Sequence, residues 1–234
     1  MLGVLVNTVA VLAGSTVGLL CRRGLPQKIA DAVMIGLGLC TIYIGISGML
    51  VGENTLVLIA SMVFGAAFGT LIDLDGKLTA LGDLLSRRLS RQTGGTSITE
   101  GFVTASMLFC IGSMTIVGSL NAGLTGDNEL LFTKSMLDLV SSSMLSASLG
   151  IGVMCAAAFV LTFQGAIVLS AGLIGPLLTV GAINELTCVG SLLILGVGLN
   201  LTGITKLKIV NYLPAIFFAP FFYYFARWIS GLMG

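Results

Sequence analysis

Apolar residues in this chain come in long runs, and ionisable residues are largely confined to the gaps between them. The segments 3–21, 29–51, 55–72, 101–122, 135–179, 183–203 and 209–231 each hold the roughly 20 mostly apolar residues that a helix needs to cross a bilayer. The run 135–179 is too long for one crossing: about 45 residues would make a helix of ~67 Å at 1.5 Å per residue, against a hydrocarbon core of ~30 Å. Two spans are expected there, with a turn between Gly152 and Gln164. The pattern therefore predicts an all-α polytopic membrane protein of about eight transmembrane helices, or seven if that run is counted once. One integral membrane domain, 1–234, is expected, divided into a first repeat (1–76), a cytoplasmic interfacial loop (77–100), central spans (101–157) and a second repeat (158–234). Within the loop, Leu78 to Leu89 carries apolar residues at helical spacing with a basic face, the pattern of a helix lying along the interface. Gln92 to Ser97 then breaks it.

Charge fixes the expected orientation. Arg22, Arg23 and Lys28 follow the first run, and Lys77, Arg87, Arg88 and Arg91 follow the third, whereas Gly52-Glu53-Asn54 after the second holds no basic residue. The positive-inside rule makes the first and third gaps cytoplasmic and the N-terminus external. The loop Thr125 to Leu130, with Asp127 and Glu129, then falls outside. Counting two spans in 135–179 places Lys206 and Lys208 in the cytoplasm and the C-terminus outside, with Arg227 as a dissenting charge. The first run is expected to be a retained span, since Met1 to Ala13 holds no Lys or Arg of a signal peptide.

Composition narrows the function classes. The chain is 56% hydrophobic and 9% charged, with a mean hydropathy of +1.08, and its net charge of +1 gives no nucleic-acid footprint. It contains no histidine, which removes the commonest general base and metal ligand. The five cysteines, Cys21, Cys40, Cys110, Cys155 and Cys188, stand singly without a C-x-x-C spacing, so a disulfide framework or zinc site is not expected. They read as small apolar fillers. No cofactor, metal or catalytic residue is expected, and the chain does not read as an enzyme. The expected partners are the lipid bilayer, a small solute or ion and, in a homo-oligomer, a second copy of the chain.

Polar residues inside apolar runs carry the candidate chemistry, because each costs free energy in lipid unless it finds a partner. Asp138, Ser142 and Ser146 form a stripe at i, i+4, i+8 on the fifth span, with Lys134 one turn before. Either they line a binding site, or Lys134 pairs with Asp138 near the outer interface while the serines let helices pack closely. Gln164, Asn7, Asn200 and Asn211 place amides in other spans, as interhelical glue or as a polar lining. The fourth span, with Gly112, Ser113, Thr115, Gly118 and Gly123, is dense enough in glycine for a helix break at membrane depth, tolerated where freed backbone lines a cavity or is buried in protein. Asp138, Ser142, Ser146, Lys134, Asn7, Gly112, Ser113, Thr115, Gln164 and Asn200 are thus the candidate solute- or ion-binding residues. Gly14-x-x-x-Gly18 and Gly65-x-x-x-Gly69 predict close packing of the first and third spans. Pro214 and Pro220 predict a kinked last span, whose Phe217 to Trp228 aromatics read as a lipid-facing surface and interface belt.

Residues 29–36 echo 183–190 at an offset of 154, with Asp31 meeting Glu185 and Gly36 meeting Gly190. With eight spans this relates spans 1–3 to spans 6–8 in inverted orientation, a signature of many secondary transporters. Chance alignment of Gly- and Leu-rich helices is the alternative.

The ordered motifs resemble the bacterial membrane-protein family catalogued as domain of unknown function 554. They are Leu5-Val-Asn7-Thr8 with Gly14, Phe102 through Ser106 to Phe109-Cys-Ile-Gly112, Gly118, Gly123 to Asp127, Lys134-Ser135, Leu137-Asp138, Gln164-Gly165, Gly198-Leu-Asn200 and Asn211 to Ala215. Leu139 stands where that family often has Gly. The resemblance implies a bacterial cytoplasmic-membrane protein and supplies no substrate. A small secondary transporter or permease is the leading expectation, with a non-catalytic partner or scaffold second and an intramembrane enzyme third.

Overall fold

A computed structural model describes residues 1–22, 27–77, 80, 98–110 and 113–233. Among the described residues every regular element is helical. The helices are α1 (Leu2–Arg22), α2 (Gln27–Met49), α3 (Thr55–Leu71), α4 (Ile98–Cys110), α5 (Ser113–Leu124), α6 (Glu129–Leu149), α7 (Gly152–Ile174), α8 (Val180–Leu201) and α9 (Pro214–Met233). Apart from Ala80, the expected interfacial segment Leu78 to Leu89 lies outside the described residues, as do the basic residues Arg87, Arg88 and Arg91, and Gly112.

The long run divides into two helices, as its length requires. The turn falls at Gly150–Ile151, just before the expected window, because Gly150 takes a φ of 78° that a residue with a side chain rarely adopts. Among the described residues four helices are long and apolar enough by themselves to cross a membrane: Leu2–Cys21, Gly152–Ile174, Val180–Leu201 and Ile209–Ile229. The pair α4 and α5, whose axes differ by 60°, makes a fifth if taken as one bent span. The count falls short of eight for physical reasons. α3 has only 17 residues, while α6 dilutes its leucines with serines, Lys134 and Asp138.

The packing is inside-out relative to a water-soluble bundle. On α1 the buried stripe is Gly3, Val4, Asn7, Thr8, Val11, Gly14, Ser15 and Gly18, while Leu5, Val6, Val9, Leu12, Val17 and Leu20 face outward. On α6, Lys134, Ser135, Asp138, Ser142 and Ser146 are buried, while Met136, Leu137, Val140 and Met144 are exposed. A surrounding hydrocarbon solvent removes the penalty for exposing large apolar side chains, and small residues then serve the contacts.

Small residues set the helix registers. A Cβ on Gly14 would meet Leu139 O and Ser142 Oγ, and one on Gly18 would meet Ser143 O and Ser146 Oγ, so α1 and α6 run parallel with backbones in close approach. Gly38 lies against Thr202, Gly48 against Ser191 and Gly52 against Cys188, which makes α2 and α8 antiparallel. Gly65 against Ala215 and Gly69 against Asn211 make α3 and α9 antiparallel. Gly152 against Ile98 and Phe102, and Gly123 against Val168 and Ala171, align α4 and α5 with α7. Two groups result: α1, α4, α5, α6 and α7 in one, and α2, α3, α8 and α9 in the other. The largest buried cluster joins them, with Ala105, Phe109, Leu145, Val153 and Val160 on one side and Leu193, Ile194 and Val197 of α8 on the other.

Candidate functional site

The polar side chains of α1, α6 and α7 meet between two apolar layers. On one side lie Val4, Ala122, Leu131 and Val168; on the other lie Val11, Phe109, Leu145, Val153 and Val160. Between them Lys134 Nζ donates to Asp138 Oδ2 at 2.6 Å. Asn7 Nδ2 donates to the same oxygen at 3.0 Å and to Gln164 Oε1 at 3.2 Å. All four side chains are buried, Asn7 and Gln164 completely. Asp138 is ten residues into the 21-residue α6, ~14 Å from its start at 1.5 Å per residue. The pair is therefore deep in the helix and not at its outer end.

The carboxylate dictates how the amides point. Asp138 Oδ2 requires a donor from Asn7, so Asn7 presents Nδ2 to it and, with the same group, meets the oxygen of Gln164. Reversing both amides would set the Asn7 oxygen against the carboxylate. That leaves Asn7 Oδ1 and Gln164 Nε2 buried without a protein partner. Each such atom costs about 1–3 kcal/mol, so the cluster offers one acceptor and one donor to a further molecule.

The interruption between α4 and α5 stands beside this cluster. α4, which ends at Cys110, packs against α6. Gly118 of α5 packs on Leu130 and Leu131, so the antiparallel α5 and α6 bring Thr115 level with Lys134. Thr115 Oγ1 donates to Phe109 O at 3.0 Å, satisfying one carbonyl freed where α4 ends. The fourth span is thus bent by 60° between α4 and α5; residues 111 and 112, within the segment where a break was expected, lie outside the described residues.

The other candidate residues have different positions. Ser142 Oγ donates to Leu139 O and Ser146 Oγ to Ser15 O. Both serines lie in the glycine contact with α1, so they pack helices. Asn200 is remote from the cluster. Its Oδ1 accepts from Thr205 Oγ1 and Leu207 N, and its Nδ2 donates to Leu207 O, closing the turn after α8. It borders a cavity of about 450 Å³ with Thr99, Lys206 and Lys208. Asn211 Oδ1 accepts from Asp75 N, tying the end of α3 to the start of α9. Gly112 lies outside the described residues, as does the Ser113 side chain. The last-span aromatics Phe217, Phe221, Phe225 and Trp228 are exposed, as a lipid-facing surface requires.

Three residues escaped the sequence reading as site candidates. Cys110, read as a filler, marks the helix interruption. Ser106, in the same helix, is buried with its hydroxyl unpartnered. Glu185 is buried in α8, and its Oε1 accepts the backbone N–H groups of Glu53 and Asn54 at 2.9 and 2.8 Å while Oε2 has no partner. An acidic residue within an apolar run was the available signal, and the echo used it only to align Glu185 with Asp31. Asp31 is exposed on α2, so the two aligned acids have different surroundings.

The family model described as "Protein of unknown function (DUF554)" matches residues 2–224. The chain is 33% identical over 224 residues to the "Uncharacterized membrane protein YdfK" of Bacillus subtilis (strain 168), covering 94% of each chain. It is 32% identical over 221 residues to the "Uncharacterized protein YqgA" of Escherichia coli (strain K12), covering 93% of this chain and 94% of the relative. No solved structure matches it.

Proposed function

This chain belongs to the DUF554 family, and we propose that it is a small secondary transporter or permease for a small polar solute or ion in the bacterial cytoplasmic membrane. The observation that carries the reading is the buried Lys134–Asp138 pair, flanked by the unpartnered Asn7 Oδ1 and Gln164 Nε2, at the interruption between α4 and α5. An interrupted helix frees backbone groups at membrane depth, and an ion pair beside it supplies both signs of charge. A solute cation takes the place of Lys134 on Asp138, and the two free amide atoms bind the solute's own donor and acceptor. Two apolar layers close the cluster on both sides, as an occluded state of an alternating-access cycle requires.

In this reading the chain has eight spans: α1, α2, α3, the bent pair α4–α5, α6, α7, α8 and α9. Their alternation leaves both termini outside and Lys206 and Lys208 in the cytoplasm. The antiparallel packing of α2 on α8 and of α3 on α9 supports an inverted repeat of spans 1–3 and 6–8. Absence of histidine and of a paired nucleophile and base argues against an intramembrane enzyme. The packing of Ser142 and Ser146 on Gly14 and Gly18 favours the second reading, a non-catalytic partner or scaffold.

The test is a screen of the purified protein in lipid vesicles for thermal stabilisation and uptake across ions and metabolites. A solute that stabilises the native protein should lose that effect in Asp138→Asn while the variant remains folded. Undiminished stabilisation and uptake by Asp138→Asn would remove the cluster from the mechanism.

A further inference from the structure

The Lys134–Asp138 pair restricts what the site between α1, α6 and α7 can receive. The site is electrically neutral: one ammonium on one carboxylate, with the uncharged amides of Asn7 and Gln164 beside them. The side chains of Lys134 and Asp138 are 8% and 7% exposed, and an unpaired charge at such depth is costly. A solute cation alone, taking the place of Lys134 on Asp138, would leave the lysine ammonium without a counter-charge. An anion alone, drawing Lys134 away, would strand the carboxylate. A solute that carries both charges strands neither, because each protein charge exchanges one partner for another.

The open hydrogen-bonding atoms divide the same way. Asn7 Oδ1 accepts and Gln164 Nε2 donates, and both are buried without a partner. Asn7 Nδ2 donates to Asp138 Oδ2 at 3.0 Å, so the open oxygen of the same amide lies beside the carboxylate, and an ammonium with three N–H groups reaches both. Gln164 Nε2 suits a carboxylate, whose other oxygen accepts from Lys134 Nζ. Open space lies on that side. Gly165, next to Gln164, is buried, yet a Cβ there would approach nothing on the neighbouring helices nearer than Met1 Cε at 3.8 Å. Gly3 N donates to Asn128 Oδ1, so Met1 stands at the end of the bundle where α6 begins, and Lys134 is one turn nearer that end than Asp138. The apolar layer over that end is thin: Val4, Leu131 and Val168 are each one helical turn from Asn7, Lys134 and Gln164 respectively.

We propose that the cluster binds a small zwitterion with a primary ammonium and a carboxylate, the ammonium on Asp138 and Asn7 Oδ1, the carboxylate on Gln164 Nε2 and Lys134. The proposal rests on the transporter reading and names its substrate class. The zwitterion is compact, since its four partners are joined by consecutive hydrogen bonds from Lys134 to Asp138 to Asn7 to Gln164. It enters past Val4, Leu131 and Val168.

The test uses the full chain in lipid vesicles and reads thermal unfolding and uptake with four small probes that differ in charge: glycine, methylammonium, acetate and acetamide. Glycine alone should raise the unfolding temperature of the native protein saturably. Gln164→Met should raise the half-saturating glycine concentration about tenfold or more, as expected for losing one hydrogen bond to a charged group. Lys134→Met should reverse the preference: the response to glycine is lost, and methylammonium now stabilises a site that lacks its cation. Side chains that only pack helices would show no such exchange of ligands. If Lys134→Met fails to fold, Lys134→Gln replaces it, with the same reversal expected. A native protein indifferent to glycine, stabilisation by methylammonium, acetate or acetamide equal to that by glycine, an unmoved glycine midpoint in Gln164→Met, or a glycine preference kept without Lys134 would overturn the proposal. If glycine fails while another solute stabilises and is taken up only with Asp138 intact, the substrate class is wrong and the transporter reading stands. If glycine binds with the expected reversal but does not cross the vesicle membrane, the site stands and the transporter reading fails.

Discussion

Removing the amine of Lys134 while keeping its bulk, in Lys134→Met, isolates the energetics of the buried pair. The substitution leaves Asp138 with one donor, Asn7 Nδ2, in a site where Asp138 is 5% exposed. Breaking a buried pair by removing one partner costs about 3–5 kcal/mol. An unpaired aspartate at the bilayer centre costs ~2.5–3.5 kcal/mol on the lenient insertion scale, which agrees. The reverse substitution, Asp138→Asn, should cost less, about 1–3 kcal/mol. Lys134 lies one turn nearer the start of α6, so its four-carbon stem can carry the amine toward the interface. Replacing both residues with apolar ones, Lys134→Met with Asp138→Leu, should return stability to within about 1.5 kcal/mol of the native protein, the remaining loss being the acceptor that Asn7 gives up. Reversible unfolding in mixed detergent micelles measures all three. The expected order is Lys134→Met least stable, Asp138→Asn intermediate and the double variant closest to native. A loss below about 1 kcal/mol for Lys134→Met would match a solvated surface pair and refute the placement of this cluster between sealed apolar layers.

Two further outcomes follow from the packing and the topology. Gly14→Val should destabilise by about 1–3 kcal/mol through overpacking, because its Cβ would run into Leu139 O and Ser142 Oγ. Gly36→Ala, on a helix position with open space around it, should be neutral or stabilise by up to about 1 kcal/mol, and the same unfolding assay compares them. A single cysteine introduced by Lys206→Cys, in a background without the native cysteines, should resist impermeant thiol reagents in intact cells and react after the membrane is opened. Labelling from the outside would exclude the eight-span orientation.

Run length made the helical membrane architecture legible, since an apolar stretch too long for one crossing must turn, and Gly150 with its positive φ is where it does. The cluster was legible in part: Lys134, Asp138, Asn7 and Gln164 stand out as polar groups in apolar runs. Their meeting was not, because the bonds join residues 131 and 157 positions apart, and helix periodicity carries no information about which faces of distant helices touch. Asn200 shows the converse failure. Its partners are five and seven residues away, and a local turn closure satisfies an amide as well as a tertiary site would. The Ser142 and Ser146 stripe was ambiguous for a related reason. In lipid a serine that lines a cavity and one that lets backbones approach leave the same i, i+4 pattern.

What separates site from scaffold in such an interior is therefore not polarity but completion of hydrogen bonds. Ser142 and Ser146 reach carbonyl acceptors on their own helix and on α1, so their polarity is spent within the packing. Asn200 likewise completes its bonds in a turn, and Asn211 Oδ1 is satisfied by Asp75 N. Asn7 Oδ1, Gln164 Nε2 and the hydroxyl of Ser106 are just as buried yet have no protein partner. A fold assembled without a hydrophobic driving force between its helices has little free energy with which to offset such omissions at about 1–3 kcal/mol each. Ser15 Oγ, Thr99 Oγ1, Ser119 Oγ, Glu185 Oε2 and Thr187 Oγ1 are unpartnered as well. What marks the cluster is that an open acceptor on Asn7 and an open donor on Gln164 adjoin each other and a buried ion pair.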